Sequence, residues 1–307
     1  MKMKNEHVIL KSASSRVTLS VAKGLAFLFV LMLSLTACSD YEADYEDMYG
    51  YLVEAGTDVA LSSSLSSSWS REEAIGSSSS SIKYGSEYDA VANTLKDLRD
   101  NQTYKTVTIG SQTWMAENLN YDPGNVSSMG SYAWSGCYGN ESSNCTKYGR
   151  LYTWEVAMDD AGCAYGKACN ASLNPSTPVR GVCPSGWHLP SHREFEELIN
   201  FVDPSFGYNH TGDAGSSTAG KYLKSQSGWN SSGNGTDAYG FSALPGGYRD
   251  YGGDFGNEGN NAGFWSSGEY SSYVAFFLYL LYYYDDAYLD RDYKNYARSV
   301  RCLKDSN

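Results

Sequence analysis

Alternation of apolar and polar positions predicts a β-hairpin in the middle of the chain. Residues 104–109 (YKTVTI) alternate, Gly110 and Ser111 interrupt the pattern, and residues 112–116 (QTWMA) resume it. A two-residue loop with glycine in first place is typical of a type II′ turn between antiparallel strands. We therefore expect two paired strands here, with Trp114 in the core.

A helix is predicted to begin directly after Ser191. An apolar stripe at helical spacing follows, made by Phe195, Leu198, Ile199 and Val202. Ser191 stands at the N-cap and Glu194 at the third helical position, which is the pattern of a capping box. Residues 149–158 (GRLYTWEVAM) predict a second, shorter helix.

Two apolar segments near the end predict strands. Residues 274–284 (VAFFLYLLYYY) are rich in strand-forming residues, are too short to cross a bilayer, and stop at Asp285. Residues 298–302 (RSVRC) predict a closing strand with Val300 and Cys302 on one face. Long Gly, Ser and Asn loops join these elements, so the pattern predicts a loop-rich α+β domain with short strands and one or two helices.

The first 37 residues have the pattern of a lipoprotein signal peptide. Residues 1–23 contain five basic residues and one acid, and residues 24–37 (GLAFLFVLMLSLTA) are apolar. This run is shorter than the roughly 20 residues of a membrane-spanning helix. It ends in Leu-Thr-Ala-Cys, so we expect cleavage before Cys38, lipidation of Cys38, and attachment to a membrane through the lipid. A buried helix or a true membrane span fits the length and the cysteine less well.

Residues 38–93 are expected to form a tether. Residues 39–60 are acidic, and residues 61–81 are rich in serine, so neither part has enough apolar surface to fold. Acids directly after a lipidated cysteine fit either a surface-export signal or a plain solvated spacer. The remaining residues, 94–305, are expected to be one domain.

Net charge argues against nucleic acid as a partner. The chain carries −12, and because its leader is basic the rest is more acidic still. Such a surface repels phosphate backbones.

Cysteine usage indicates an oxidising compartment. Seven cysteines are present, and lipidation of Cys38 leaves an even set of six. Closeness in sequence favours Cys137–Cys145 and Cys163–Cys169, which leaves Cys183–Cys302 as a long staple. Zinc is disfavoured because no CxxC pair or histidine pair at ligand spacing occurs.

Several sequence blocks occur together in one order. They are residues 104–107, 112–119, 149–154, 181–191, 240–249, 264–267 and 299–302. This order resembles the Fibrobacter succinogenes major paralogous domain family over residues 95–304. The resemblance implies a lipoprotein with a serine-rich linker, and it implies no particular activity.

A more distant resemblance concerns the fold. Residues 187–191 (WHLPS), with Glu194 and Phe195, are similar to a block of formylglycine-generating-enzyme-like domains. That resemblance implies a C-type-lectin-like fold with its chain ends together, which a Cys183–Cys302 staple would suit. The copper-binding cysteine pair of those enzymes has no evident counterpart here, so their activity is not expected.

Catalytic and metal-binding motifs are scarce. The chain lacks a nucleophile elbow, an HExxH pair and a phosphate-binding glycine loop, and His188 lies in an apolar block that favours packing over catalysis. We therefore expect no enzyme activity and no cofactor, with an enzyme of unknown type as a remote alternative. Residues 250–261 and the acids after 285 are rich in oxygen ligands that calcium would accept, but sugar-binding lectin motifs and EF-hand spacing are absent, so calcium stays open.

Tyrosine is the strongest functional signal. The chain has 27 tyrosines, and eleven lie between residues 248 and 296. Tyrosine offers a flat apolar ring and a hydroxyl at little entropic cost, which suits sugar binding, although cross-strand packing would use the same rings. The candidate ligand-binding residues are Tyr248, Arg249, Tyr251, Asp254, Asn257, Trp265, Glu269 and Tyr270.

These patterns together predict a function. We expect a lipid-anchored cell-envelope protein, at the outer membrane and facing either side, that displays a non-catalytic binding domain for glycan or cell-wall polysaccharide. The alternative is a structural or protein-interaction component of the envelope.

Overall fold

The computed structural model describes residues 85–306. In this range no helix combines the length and the apolar character needed to cross a bilayer. The predicted signal peptide, Cys38 and nearly all of the predicted tether lie outside the described residues.

The described part is an α+β fold, rich in loops, with many short strands, a curled half-barrel sheet and few helices. The α-helices are α1 (Ser142–Tyr148), α2 (Trp154–Met158), α3 (His192–Val202) and α4 (Ala219–Leu223). The strands before α3 are β1 (Ser86–Asp89), β2 (Thr94–Asp97), β3 (Thr103–Ile109), β4 (Gln112–Met115), β5 (Ser135–Gly136), β6 (Leu151–Thr153) and β7 (Trp187–His188). The later strands are β8 (Ala214–Ser216), β9 (Tyr248–Arg249), β10 (Phe255–Gly256), β11 (Asn261–Glu269), β12 (Val274–Leu281), β13 (Ala287–Tyr293), β14 (Ala297–Ser299) and β15 (Leu303–Lys304).

Two sheets organise these strands. The smaller sheet has the order β1-β2-β3-β4-β15-β7, so the last strand pairs with β4 and both ends of the described chain meet in one sheet. The larger sheet has the order β10-β9-β14-β11-β12-β13-β8, with β6 and β5 added beside β14. The pair β11–β14 is parallel, and the other pairs in this sheet are antiparallel.

The predicted hairpin and the predicted helix are confirmed. Strands β3 and β4 pair with Ile109 opposite Gln112, and Gly110 has the positive φ that the first position of a II′ turn needs. Helix α3 begins after Ser191 with both hydrogen bonds of the capping box to Glu194. Local sequence signals determine both elements, which explains why pattern alone located them.

Two other element predictions need correction. Residues 149–158 are not one helix, because residues 151–153 form β6 and pair with β14 and β5 before α2 begins. Residues 298–302 are not one strand, because the chain leaves β14 at Ser299 and crosses to the smaller sheet at β15. Buried Arg301 lies in the crossing segment, donating to the Phe241 carbonyl and Asn118. Long-range pairing decides both cases, and periodicity does not report it.

The predicted domain boundary at residue 94 also needs correction. Strand β1 lies inside the predicted tether range and pairs along its whole length with β2. The folded part therefore begins ahead of residue 94.

The three predicted disulfides are confirmed: Cys137–Cys145 and Cys163–Cys169, which sequence proximity favours, and Cys183–Cys302, which joins the remaining pair. The long bridge joins the middle of the chain to its end within the main core, and Trp154, Trp187 and Trp265 are buried in the same core. Trp114 belongs to a second core around helix α3.

Candidate functional site

The structure divides the predicted ligand residues into exposed and buried ones. Tyr251, Asp254, Asn257 and Tyr270 are exposed, and Tyr248, Arg249 and Glu269 are half-buried. Trp265 is wholly buried, and its indole N–H donates to the Tyr152 carbonyl at 2.8 Å. The prediction of Trp265 as a ligand residue is therefore wrong, because its ring fills the core beside Phe277.

Three further candidates have partners inside the fold. The Glu269 carboxylate accepts hydrogen bonds from the backbone amides of Cys169 (3.1 Å) and Asn170 (2.6 Å), so it anchors a loop. The Arg249 guanidinium stacks on Trp134 at 4.6 Å. The Tyr270 ring packs on Phe276. Because side chains alternate along β12, Phe276 lies on the opposite face of the sheet from Phe277, which contacts Arg298 beside Tyr248. The structure therefore does not bring Tyr270 together with Tyr248.

Seven tyrosines form one continuous surface cluster, which we call the tyrosine cluster. Its members are Tyr132, Tyr165, Tyr248, Tyr251, Tyr273, Tyr293 and Tyr296. Each ring contacts at least one other member, with centroids 5.0 to 6.3 Å apart. None is buried. Four of them are exposed: Tyr132 (43 %), Tyr251 (62 %), Tyr273 (50 %) and Tyr293 (50 %). The cluster joins loops that are far apart in sequence.

Tyr165 lies at one centre of the cluster. Its ring contacts Tyr132 (5.4 Å), Tyr273 (5.0 Å) and Tyr293 (6.3 Å). It projects from the loop closed by Cys163–Cys169, and the amide of Gly166 donates to the Ser272 carbonyl at 2.9 Å, which fixes this loop beside Tyr273. Burial raises the pKa of Tyr165, as do the neighbouring tyrosines, so its hydroxyl stays neutral.

Tyr296 lies at the other centre, in the turn between β13 and β14. Its ring contacts Tyr248 (5.7 Å), Tyr251 (6.2 Å) and Tyr293 (6.2 Å). Partial burial raises its pKa first, and the charges of Asp292 and Asp250 raise it further. Carboxylates therefore border this end of the cluster.

Beneath the cluster, β14 contributes Arg298. Its guanidinium lies 3.8 Å from the Phe277 ring and 5.7 Å from the Tyr248 ring, and it pairs with Asp292. A Cβ at Gly263 would stand 2.6 Å from Arg298 Nη1, so a larger residue on β11 would require the guanidinium to shift. The Arg298 guanidinium is within cation–π distance of the Tyr248 ring.

Sequence reasoning missed Tyr132 and Tyr165, which lie outside the 248–296 segment. A signal for Tyr165 existed: a short disulfide loop that displays one aromatic residue next to glycine. No signal of this kind marks Tyr132, which reaches the cluster only through tertiary folding.

His188, the residue weighed as a general base, is buried and held between Asp305 (Nδ1, 2.7 Å) and Glu194 (Nε2, 2.9 Å). Burial alone would lower its pKa, but the two carboxylates outweigh burial and raise it. The expectation of a packed, hydrogen-bonded histidine is confirmed.

The acidic loop after Tyr248 forms its own turn. Asp250 Oδ1 accepts from the amides of Gly252 (2.8 Å) and Asp254 (2.9 Å). Within residues 85–306, no three His, Cys, Asp or Glu side chains come together in a way that could hold a metal ion.

Comparison with known proteins gives one family. A family model described as Fibrobacter succinogenes major domain matches residues 107–304. No curated protein and no solved structure matches the chain.

Proposed function

The chain belongs to the Fibrobacter succinogenes major domain family, and from this premise we propose that it is a lipid-anchored protein of the cell envelope whose domain binds glycan without catalysing a reaction. The tyrosine cluster is the observation that carries the proposal. Its rings offer apolar faces for sugar C–H groups, and their hydroxyls lie at the edges, where sugar hydroxyls would be.

The finer fold belongs to the same proposal. We place the domain in the C-type-lectin-like class, because the first and last strands of the domain share the smaller sheet and because Cys183–Cys302 ties the end of the chain to its middle. In that class, loops at the far side from the chain ends display the ligand site. Most of the tyrosine cluster is likewise built from loops, at residues 132, 165, 251, 273 and 296.

The glycan site can be tested with the full mature chain, made oxidised and with Cys38→Ser to keep it in solution. Affinity electrophoresis through gels that contain soluble plant or bacterial polysaccharides measures binding directly. Tyr251→Ala combined with Tyr273→Ala should weaken retardation at least tenfold, since both rings are half exposed or more.

Tyr222→Ala is the matched control. Tyr222 is also exposed, but it lies in helix α4, and its ring contacts Tyr239 and no member of the tyrosine cluster. Retardation that is absent from every gel, or that the Tyr222 variant loses equally, would overturn glycan binding at this site.

A protein partner in the envelope is the second candidate. The observation that favours it is the steep angle between the rings: Tyr165 meets Tyr132, Tyr273 and Tyr293 at 64 to 73°. Angled tyrosines among Asp, Asn and Gly resemble the amphipathic contact surfaces of protein-binding loops. A photo-crosslinking amino acid at position 273 would then capture one envelope protein, and a position-222 control would not.

The lipid anchor is tested separately. The family and the residues up to Cys38 support it, and it predicts that the wild-type chain incorporates labelled fatty acid. Cys38→Ser should abolish the label and release the protein from the membrane fraction. Retained label in that variant would overturn the anchor.

A further inference from the structure

The geometry of the tyrosine cluster restricts which glycans it can accept. Tyr165 makes its three ring contacts at interplanar angles of 73°, 69° and 64°. Two rings at such angles cannot both lie flat on one plane. The packed face of a crystalline polysaccharide is flat, so it cannot rest on Tyr165 and on one of its three neighbours at the same time.

A single chain meets no such limit. The rings follow one another from Tyr273 through Tyr165, Tyr293 and Tyr296 to Tyr251, with steps of 5.0, 6.3, 6.2 and 6.2 Å. Each step is comparable with the length of one pyranose unit. A chain that is free to twist can therefore present successive sugar faces to successive rings.

The carboxylates around the cluster oppose the binding of anionic chains. Asp250 and Asp292 act on Tyr296, and exposed Asp254 lies in the same loop as Asp250. These carboxylates would repel the uronates of acidic polysaccharides.

Two of the neighbouring cations are already paired with carboxylates. Arg298 pairs with Asp292, and buried Lys294 pairs with Glu269. Arg249 stacks on Trp134, and Lys167 donates to the Ala161 carbonyl at 3.2 Å. Neither of these last two contacts is with a carboxylate, so it is the acidic surface of the chain, with a net charge of −12, that opposes a uronate here.

We infer that the tyrosine cluster is selective for neutral glycans in single, unpacked chains several sugars long, and that it rejects both crystalline surfaces and polyuronates. This inference rests on the proposed glycan-binding function and gives it a substrate class.

The test compares four probes with the full mature Cys38→Ser chain: soluble mixed-linkage β-glucan, soluble xylan, microcrystalline cellulose and polygalacturonate. We expect binding to at least one neutral soluble chain, with affinity rising over oligosaccharides of two to six sugars. Binding to microcrystalline cellulose should be at least tenfold weaker per accessible chain, and polygalacturonate should give no retardation.

A charge reversal sharpens the test. Asp254→Lys should create binding of polygalacturonate at low salt, because it replaces a carboxylate beside the rings with a cation. The Tyr251→Ala, Tyr273→Ala double variant should lose the neutral chain, and Tyr222→Ala should keep it.

Each other outcome has a definite meaning. Wild-type binding to cellulose crystals or to polygalacturonate, at equal strength and dependent on Tyr251 and Tyr273, would overturn the selectivity and leave the proposed function standing. Absence of binding to all four probes would overturn the proposed function, and the selectivity with it.

Discussion

The ammonium group of Lys294 donates a hydrogen bond to the backbone carbonyl of Lys167 at 2.8 Å. Lys294 lies in the turn after β13, and Lys167 lies in the Cys163–Cys169 loop that displays Tyr165. The same ammonium group pairs with Glu269, and the Trp154 ring lies beneath it at 4.6 Å. One buried cation therefore joins the two loops that hold the centres of the tyrosine cluster.

Lys294→Met should destabilise the domain by about 3 kcal/mol. The side chain has no solvent exposure, so its loss leaves the Glu269 carboxylate buried without its counter-charge. Two backbone amides still bind Glu269, which keeps the cost near the low end for broken buried pairs. Urea unfolding at pH 7 measures the change.

The control for this prediction removes both charges. Lys294→Met with Glu269→Gln should recover part of the lost free energy of unfolding, because no unpaired charge then remains. Purely additive losses would show that the two residues do not act as a pair.

The two disulfides of the main core should separate stability from binding. Loss of Cys183–Cys302, with a sequence separation of 119, should cost about 5 kcal/mol, and loss of Cys163–Cys169, with a separation of 6, about 2 kcal/mol. For glycan binding we expect the opposite order: loss of Cys163–Cys169 should weaken binding more than loss of Cys183–Cys302, because the short loop positions Tyr165. Paired Cys→Ala variants, compared by urea unfolding and by affinity electrophoresis, check both orders.

Local signals account for what the sequence could predict. The hairpin at 104–116 and the capping box at Ser191 depend on neighbours a few residues away, so pattern reasoning located them. The same reasoning could not separate Trp265 from Tyr251, since both lie among glycines and tyrosines and only the pairing of β11 with β12 and β14 buries the tryptophan. The cluster itself joins Tyr132 and Tyr165 to the 248–296 segment through tertiary contacts that no periodicity reports.

The contribution of Glu155 to stability should fall as the pH rises from about 4.5 to about 7. Burial raises the pKa of Glu155 to about 7 from an ordinary value of 4.5, and Thr153 and Lys294 offset this only in part. The carboxyl is wholly buried, and neither oxygen has a well-formed hydrogen bond. The folded state therefore holds a proton that the unfolded state releases, and the stability this gives below pH 4.5, about 3 kcal/mol, is lost by the time the pH passes 7.

Glu155→Gln isolates this contribution, because the amide has the same shape and does not titrate. The variant should match the wild type near pH 4.5 and should exceed its free energy of unfolding by about 3 kcal/mol at pH 8. Urea unfolding of both proteins across this range gives the difference, from which other titrating groups cancel. A difference that stays constant with pH would contradict the prediction.

Trp265 and Tyr251 should respond to truncation in opposite ways. Trp265→Ala would open a large cavity in the main core and remove the hydrogen bond to Tyr152, so it should destabilise the domain by about 4 kcal/mol. Tyr251 is 62 % exposed, and Tyr251→Ala should change the free energy of unfolding by less than about 1 kcal/mol. Glycan binding at 10 °C, where the tryptophan variant is still folded, should be weakened by Tyr251→Ala and kept by a conservative Trp265→Phe. If Trp265→Phe abolished binding while its unfolding curve stayed close to that of the wild type, the tryptophan would be a ligand residue after all, and the cluster would have to open to expose it.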